Sequence, residues 1–404
     1  MLLTDQYKYV TLADYESVAG PDWPTFEQFL LHTNVEQFVY DEIDQMLQPP
    51  EAFDHTAFCV LPFFGLEIGI TQTSCCLLPL DHNIEKIRAE MLSGHRPQEC
   101  SKCWRNEDAN LPSDRQIKNQ TLSFLENTTT QSLLDRCIQN QHSVLMLKID
   151  TSNTCNATCV TCDSLSSSAW AALERKNNTL PANTWRIRSE DFVYPLDYDQ
   201  IRSISFRGGE PFLSSSNFDI LDRILAHKNN NCLVSFVTNG SVELTKKQKH
   251  ILSQFNKVNF CFSIDGIGPV FEYLRYPLVW DTVLNNISWA RHNNIDISAS
   301  YTLSNLNLWY HSETVEWFRQ QDINFLVNLV YYPLHFQPSA LPLTLKSAII
   351  SKNPEITDIL KLHLDQDDIN YKQFQIEIQK QDSWKGISIK DYLPEFAQHL
   401  PLDR

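Results

Sequence analysis

Six short runs rich in β-branched and aromatic residues, alternating with longer amphipathic stretches, occupy residues 144 to 331 and constrain the fold more than any other feature. The runs are Val144–Asp150, Ile201–Phe206, Cys232–Val237, Val258–Ile264, Ile295–Leu303 and Phe325–Val330. Between them the 3.6-residue period predicts helices over Ser166–Arg175, Phe218–His227, Lys246–Phe255, Thr282–His292 and Ser312–Gln320. Apolar runs separated by helices are the pattern of parallel βαβ units. Right-handed crossovers would wind six of them into an open or partly closed α/β barrel.

Three regions follow from this pattern: a Cys-rich and helical segment over 1–140, the α/β core over 141–331, and a helical extension over 332–404 that opens with Pro333, Pro338 and Pro342. The 404 residues carry 33 Lys+Arg against 49 Asp+Glu, a net charge of −16 that disfavours a nucleic-acid partner held by bulk charge. The first residues lack a basic segment followed by an apolar core, and the longest apolar stretch, Phe58 to Ile70, is too short to span a bilayer. A cytoplasmic location without membrane attachment is therefore expected. In a reducing compartment, 11 cysteines, an odd number, are expected as metal ligands rather than disulfides.

The strongest chemical signal is Cys155-Asn156-Ala157-Thr158-Cys159-Val160-Thr161-Cys162, a C-x3-C-x2-C spacing directly after the first strand. Three thiolates on a short loop can hold three corners of a cubane iron–sulfur cluster, whereas a fully protein-ligated cluster needs four. The missing ligand leaves one iron open to a small molecule. A zinc knuckle that borrows a fourth ligand elsewhere is the plainer alternative. The next three strands end in Arg207-Gly208-Gly209-Glu210-Pro211, Thr238-Asn239-Gly240 and Ser263-Ile264-Asp265-Gly266. All lie at C-terminal strand ends, the face on which barrel active sites are built. The chain has only 10 glycines, and five of them lie between Gly208 and Gly268. Taken alone, Asn239-Gly240 or Asp265-Gly266 would read as an ordinary turn.

The triplet and the Gly-Gly-Glu-Pro strand end, in this order, resemble the radical S-adenosylmethionine (SAM) superfamily over about Leu145 to Val330. That resemblance implies a partial (β/α)6 TIM-like barrel. It also implies that Cys155, Cys159 and Cys162 hold a [4Fe–4S] cluster whose fourth iron is chelated by SAM. Gly208, Gly209 and Glu210 would meet the SAM amino group; Asn239, Ser263 and Asp265 would line its ribose and carboxylate, with Arg275 a further candidate for the carboxylate. The chain departs from the family at Thr161, where an aromatic residue usually packs near the adenine.

A second block, Cys59, Cys75-Cys76 and Cys100-Ser101-Lys102-Cys103, supplies four ligand positions if one of the adjacent pair is used. Geometry alone suits zinc or a fully ligated iron–sulfur cluster equally. With Trp104 to Glu107, Ser113-Asp114-Arg115 and Asn119, the block resembles the twitch half of a SPASM auxiliary-cluster module. This implies a second [4Fe–4S] cluster, a ribosomally made peptide or protein as substrate, and an electron donor such as a flavodoxin or ferredoxin. Relatives that act on small molecules or RNA share the core, and a non-catalytic iron–sulfur or zinc protein is the reading from a different class. Cys137, Cys232 and Cys261 are expected in the core. No P-loop, G-x-G-x-x-G or His-Glu-x-x-His is present.

Overall fold

The computed structural model describes residues 57–68, 73–75, 78–79, 83–108, 113–179, 196–330, 333–357 and 368–401. Its centre is one nine-stranded sheet. The strands are β1 (Gly65–Ile68), β2 (Thr73–Cys75), β3 (Leu78–Pro79), β4 (Met146–Asp150), β5 (Ser203–Arg207), β6 (Leu233–Thr238), β7 (Lys257–Ser263), β8 (Asp296–Leu303) and β9 (Asn324–Leu329). All six strands read from the sequence are present, and they pair in chain order from β4 to β9 as parallel neighbours.

The spatial order is β3-β2-β1-β4-β5-β6-β7-β8-β9, so the sheet stays open and does not close into a barrel. A seventh parallel strand, β1, comes from the N-terminal Cys-rich region and pairs with β4 in the register Gly65↔Met146 to Ile68↔Ile149. β2 and β3 continue the sheet beyond it in antiparallel pairing. The five helices read from the sequence form at Ser168–Lys176, Ser215–Ala226, Lys246–Leu252, Trp280–His292 and His311–Gln320, and a short helix, Pro269–Leu274, is added after β7. Two of them begin at a sequence-encoded cap: Ser167 accepts from Trp170 N, and Thr245 forms a capping box with Gln248.

The two faces of the sheet differ sharply. On one, Ile204, Phe206, Val234, Phe236, Phe260 and Phe262 are buried beneath the helices. Phe236 sits 4.9 Å from Phe206 and 4.7 Å from Phe212, centroid to centroid, within the range of favourable aromatic pairs. The alternate residues, Lys148, Ser205, Arg207, Ser235, Asn259 and Ser263, point to the other face and are half-buried. Parallel sheets are usually apolar on both faces. This polar face is therefore the exception to account for. Cys261 lies on it, in register with Ser298, and is half-buried rather than in the core as expected. Cys137 and Cys232 are buried as expected.

Two apolar clusters underlie the structure. A small one gathers Phe58, Cys59, Phe64, Ile87, Trp104 and Leu133 with Leu145 and with Met146 at the start of β4. The large one runs from Ile68 through the sheet to Leu345, Phe374, Ile389 and Phe396, so the C-terminal helices share a core with the α/β unit. No helix among the described residues is long and apolar enough to cross a membrane.

Candidate functional site: the cysteine loop and the strand ends

The loop that follows β4 is held from below by the helix it leads into. Cys155 N donates to Ser168 Oγ at 3.0 Å, Ser168 Oγ donates to Cys155 O at 3.1 Å, and Ser167 Oγ donates to Ala157 O at 2.6 Å. Trp170 Nε1 donates to Cys159 O at 2.8 Å. Ser167 and Ser168 lie at a helix start, where short hydroxyl side chains readily reach nearby backbone. On its other side the loop docks on the segment after helix Pro269–Leu274. Thr158 N donates to Tyr276 O at 2.7 Å and Val160 N to Leu274 O at 2.8 Å.

The glycines after β5 press against this loop. Gly209 N donates to Ser152 O at 2.9 Å and Glu210 N to Thr154 O at 2.7 Å. A Cβ at Gly208 would stand 2.6 Å from Ser152 O, and one at Gly209 2.3 Å from Thr154 O. Gly208 also has φ +98°, a conformation that favours glycine. The close approach for which these glycines are needed is thus to the cysteine loop itself.

Glu210 is buried, and its carboxylate accepts from Phe212 N at 3.1 Å, Thr238 Oγ1 at 2.8 Å and Asn239 N at 2.7 Å. It fastens the end of β5 to the end of β6. Burial outweighs these donors and pushes its carboxyl up to about 7. Asn239 Nδ2 reaches back to Asn156 Oδ1 at 2.9 Å, which ties the β6 end to the cysteine loop. Ser263 ends β7 on the polar face. Asp265 accepts from Thr302 N at 2.9 Å and pairs with Arg275 at 2.8 Å. The same guanidinium reaches Cys159 Sγ at 3.9 Å. Arg275 therefore bridges a strand-end carboxylate and a loop thiol.

Six of the seven strand-end and arginine candidates are placed against the loop or in contact with residues that touch it; Ser263 is placed only at its strand end. The three thiols share one low-dielectric setting. Burial raises all of them, Cys159 to about 11 and Cys162 well above its ordinary range, and Arg275 opposes the shift at Cys159. Cys159 and Cys162 each feel Cys155. Among the described residues no three His, Cys, Asp or Glu side chains already stand in metal-ligating geometry. The donor chemistry nevertheless fits a metal cluster: three thiols on eight residues, one of them in contact with Arg275, with the loop backbone bonded along its length. A bound cation converts such buried thiols to thiolates.

Trp170 and two residues of the C-terminal helix Asp368–Lys385 belong to this site and carry no motif. Gln381 Nε2 donates to Val160 O at 3.1 Å, and Lys385 Nζ lies 4.8 Å from the centre of the Trp170 ring.

The N-terminal block is built separately. Cys59 is buried in the small core, and Cys100 packs against that core from the turn preceding helix Ser101–Asp108. Arg115 Nη1 and Asn119 Nδ2 both donate to Phe58 O, at 2.6 and 2.9 Å, and Val60 N donates to Asn119 Oδ1 at 2.9 Å. Arg115 also makes a two-pronged contact with Glu107 at 2.8 Å on each arm. These bonds bring the Cys59 segment to helix Ser101–Asp108. Cys103 is half-buried on that helix. Cys76 and the side chain of Cys75 lie outside the described residues.

No family model matches the sequence, and no curated protein matches it. Among solved structures it is similar to native anSMEcpe with bound AdoMet, at 16% identity and TM-score 0.37, over 54% of this chain and 63% of that one. It is also similar to Streptococcus suis SuiB bound to S-adenosylmethionine, at 16% identity and TM-score 0.35, over 71% and 61% of the two chains. SuiB bound to precursor peptide SuiA gives 16% identity and TM-score 0.34, over 69% and 60%. The chain thus spans about three fifths of the length of these three.

Proposed function

We propose that this chain is a radical SAM enzyme whose substrate is a peptide or protein. One arrangement supports this reading above the others: a three-cysteine loop at the C-terminal end of β4, locked by backbone bonds to the Gly-Gly-Glu end of β5, with Arg275 at one thiol. Cys155, Cys159 and Cys162 would hold a [4Fe–4S] cluster, and the open iron would take SAM. Together they would supply reductive cleavage of SAM to methionine and a hydrogen-abstracting 5′-deoxyadenosyl radical.

The protein's own part is positional. Gly208 and Gly209 let the β5 end lie against the loop, and Glu210 and Asn239 fix the β6 end to it. Asp265 orients Arg275 beside Cys159, where the guanidinium offsets thiolate charge. Gly208, Gly209, Glu210, Asn239, Ser263 and Asp265 surround the position where SAM is proposed to bind.

A peptide substrate is supported by the twitch-like text of the N-terminal block and by the polar, half-exposed sheet face that runs up to the loop. On that face Glu67 of β1 pairs with Arg207 at 2.7 Å and with Lys148 at 3.1 Å, and Arg207 also approaches Asp150 at 3.5 Å. These groups suit backbone amides and polar side chains. Cys59, Cys100, Cys103 and one of Cys75 or Cys76 are proposed to hold the auxiliary [4Fe–4S] cluster, and a flavodoxin or ferredoxin would supply the electron.

Anaerobic reconstitution with iron, sulfide, a strong reductant and SAM tests the reading. About eight irons per chain fit two cubanes, and about four irons with one zinc fit a structural N-terminal block. The expected product is 5′-deoxyadenosine, and its loss in Cys159→Ala is the matching control. A chain that binds iron yet yields none, with SAM alone and with peptides present, would instead be a non-catalytic iron–sulfur protein.

A further inference from the structure

The C-terminal helix Asp368–Lys385 is more than 200 residues from the cysteine loop in sequence, yet it touches the loop at two points. Gln381 is buried and donates from Nε2 to Val160 O at 3.1 Å, between the second and third cysteines. One turn later, Lys385 Nζ donates to Gln381 Oε1 at 2.8 Å. The same ammonium lies 4.8 Å from the ring centre of Trp170, whose Nε1 holds Cys159 O. Asp382 fixes the helix in place. It accepts from Tyr273 Oη at 2.9 Å and from Ile389 N at 2.8 Å. Tyr273 lies in the helix that leads into Leu274 and Tyr276, whose carbonyls hold the loop. The loop is therefore gripped from both sides of one packed unit.

We propose that Gln381 and Lys385 are positioning residues of the reactive site: Gln381 fixes the loop backbone between Cys159 and Cys162, and Lys385, held by Gln381 and Trp170, brings a positive charge to that loop. The helix thereby stiffens the ligand loop and favours electron uptake there. The proposal rests on the reading of the loop as an iron–sulfur ligand set. In support, the ammonium is bonded to Gln381 and lies over the Trp170 ring, the two side chains that hold Val160 O and Cys159 O. Burial lowers Lys385 to about 8, a cost its acidic and thiol neighbours only partly offset.

Two measurements separate the grip from the charge. In the full-length, iron-free chain, hydrogen exchange of amides 155–164 should rise about tenfold or more in Gln381→Ala, as expected when a fixed loop opens locally. Unchanged exchange there would overturn the grip. In the reconstituted protein, Lys385→Gln should make one-electron reduction of the loop cluster about tenfold less favourable, or about 59 mV lower in midpoint potential. Lys385→Arg should restore it. Lys380→Gln, which removes an exposed charge from the same helix, should leave the potential unchanged. A Lys385→Gln potential equal to the wild type, or an equal shift in Lys380→Gln, would overturn the charge argument. If Lys385→Gln takes up no cluster, iron retention becomes the readout, and equal loss in Lys385→Arg overturns it. A wild-type chain that takes up no iron would sink the cluster reading, leaving the grip to stand or fall on exchange alone.

Discussion

A methyl group at Gly209 would stand 2.3 Å from the Thr154 carbonyl, and the obstructing atom is backbone rather than a side chain that could swing away. Gly209→Ala must push the cysteine loop off the β5 end. The expected cost is about 1–3 kcal/mol, the usual penalty of overpacking. It is read as a lower urea midpoint together with reduced iron uptake. Glu210 makes a separate prediction, from its pH dependence. Its carboxyl is raised to about 7 in the fold, against an ordinary value near 4.3 when unfolded. Between those values the unfolded chain has lost a proton that the folded chain keeps, so this group's contribution to stability falls as pH rises through that window. Glu210→Gln should cost about 1–3 kcal/mol by leaving donors among Phe212 N, Thr238 Oγ1 and Asn239 N poorly matched. The gap between wild type and variant should narrow from pH 5 to pH 8 in urea titrations. A gap that widens would show that the three donors, rather than burial, control this carboxyl.

At the level of elements, the buried Arg115–Glu107 contact organises the N-terminal block. Arg115→Ala leaves Glu107 and the Phe58 carbonyl without their main donor, at an expected cost of about 3–5 kcal/mol. Hydrogen exchange should localise the damage to residues 57–60 and 101–108, and even protection across both segments would contradict this role. The β-strand elements were readable to different degrees. The six strands of the core alternate with helices, and that repeating pattern survives any local ambiguity. β1 escaped detection because Gly65-Leu66-Glu67-Ile68 sits inside a continuous apolar stretch. The one charge in it, Glu67, points to the polar face, where Lys148 and Arg207 meet it. Cys261 was misplaced for a related reason: a thiol in a strand suits either face, and only the register with Ser298 shows which one.

For the molecule as a whole, one face of the sheet is committed to stability and the other to polar chemistry. Phe236 lies at the centre of the first, against Phe206, Phe212 and Phe218. Phe236→Ala should cost about 3–5 kcal/mol and lower the unfolding midpoint of the entire α/β unit. The cysteine loop and the strand-end residues were legible because their chemistry is written in short contiguous motifs. Gln381 and Lys385 were not, because they reach the loop only through the packing of a distant helix, and residues four apart on an amphipathic helix look like any solvated face. The close contact of the glycine pair with Ser152 and Thr154 likewise comes from packing that no local motif encodes.

We propose that Cys155, Cys159 and Cys162 form a ligand set that turns SAM over. Its most direct test is quantitation of 5′-deoxyadenosine after anaerobic reconstitution of the full chain with iron, sulfide, reductant and SAM. The wild type should yield 5′-deoxyadenosine, and Cys159→Ala folded to the same far-UV spectrum should yield none. Equal amounts from both proteins, or none from a wild type that has taken up its iron, would contradict it.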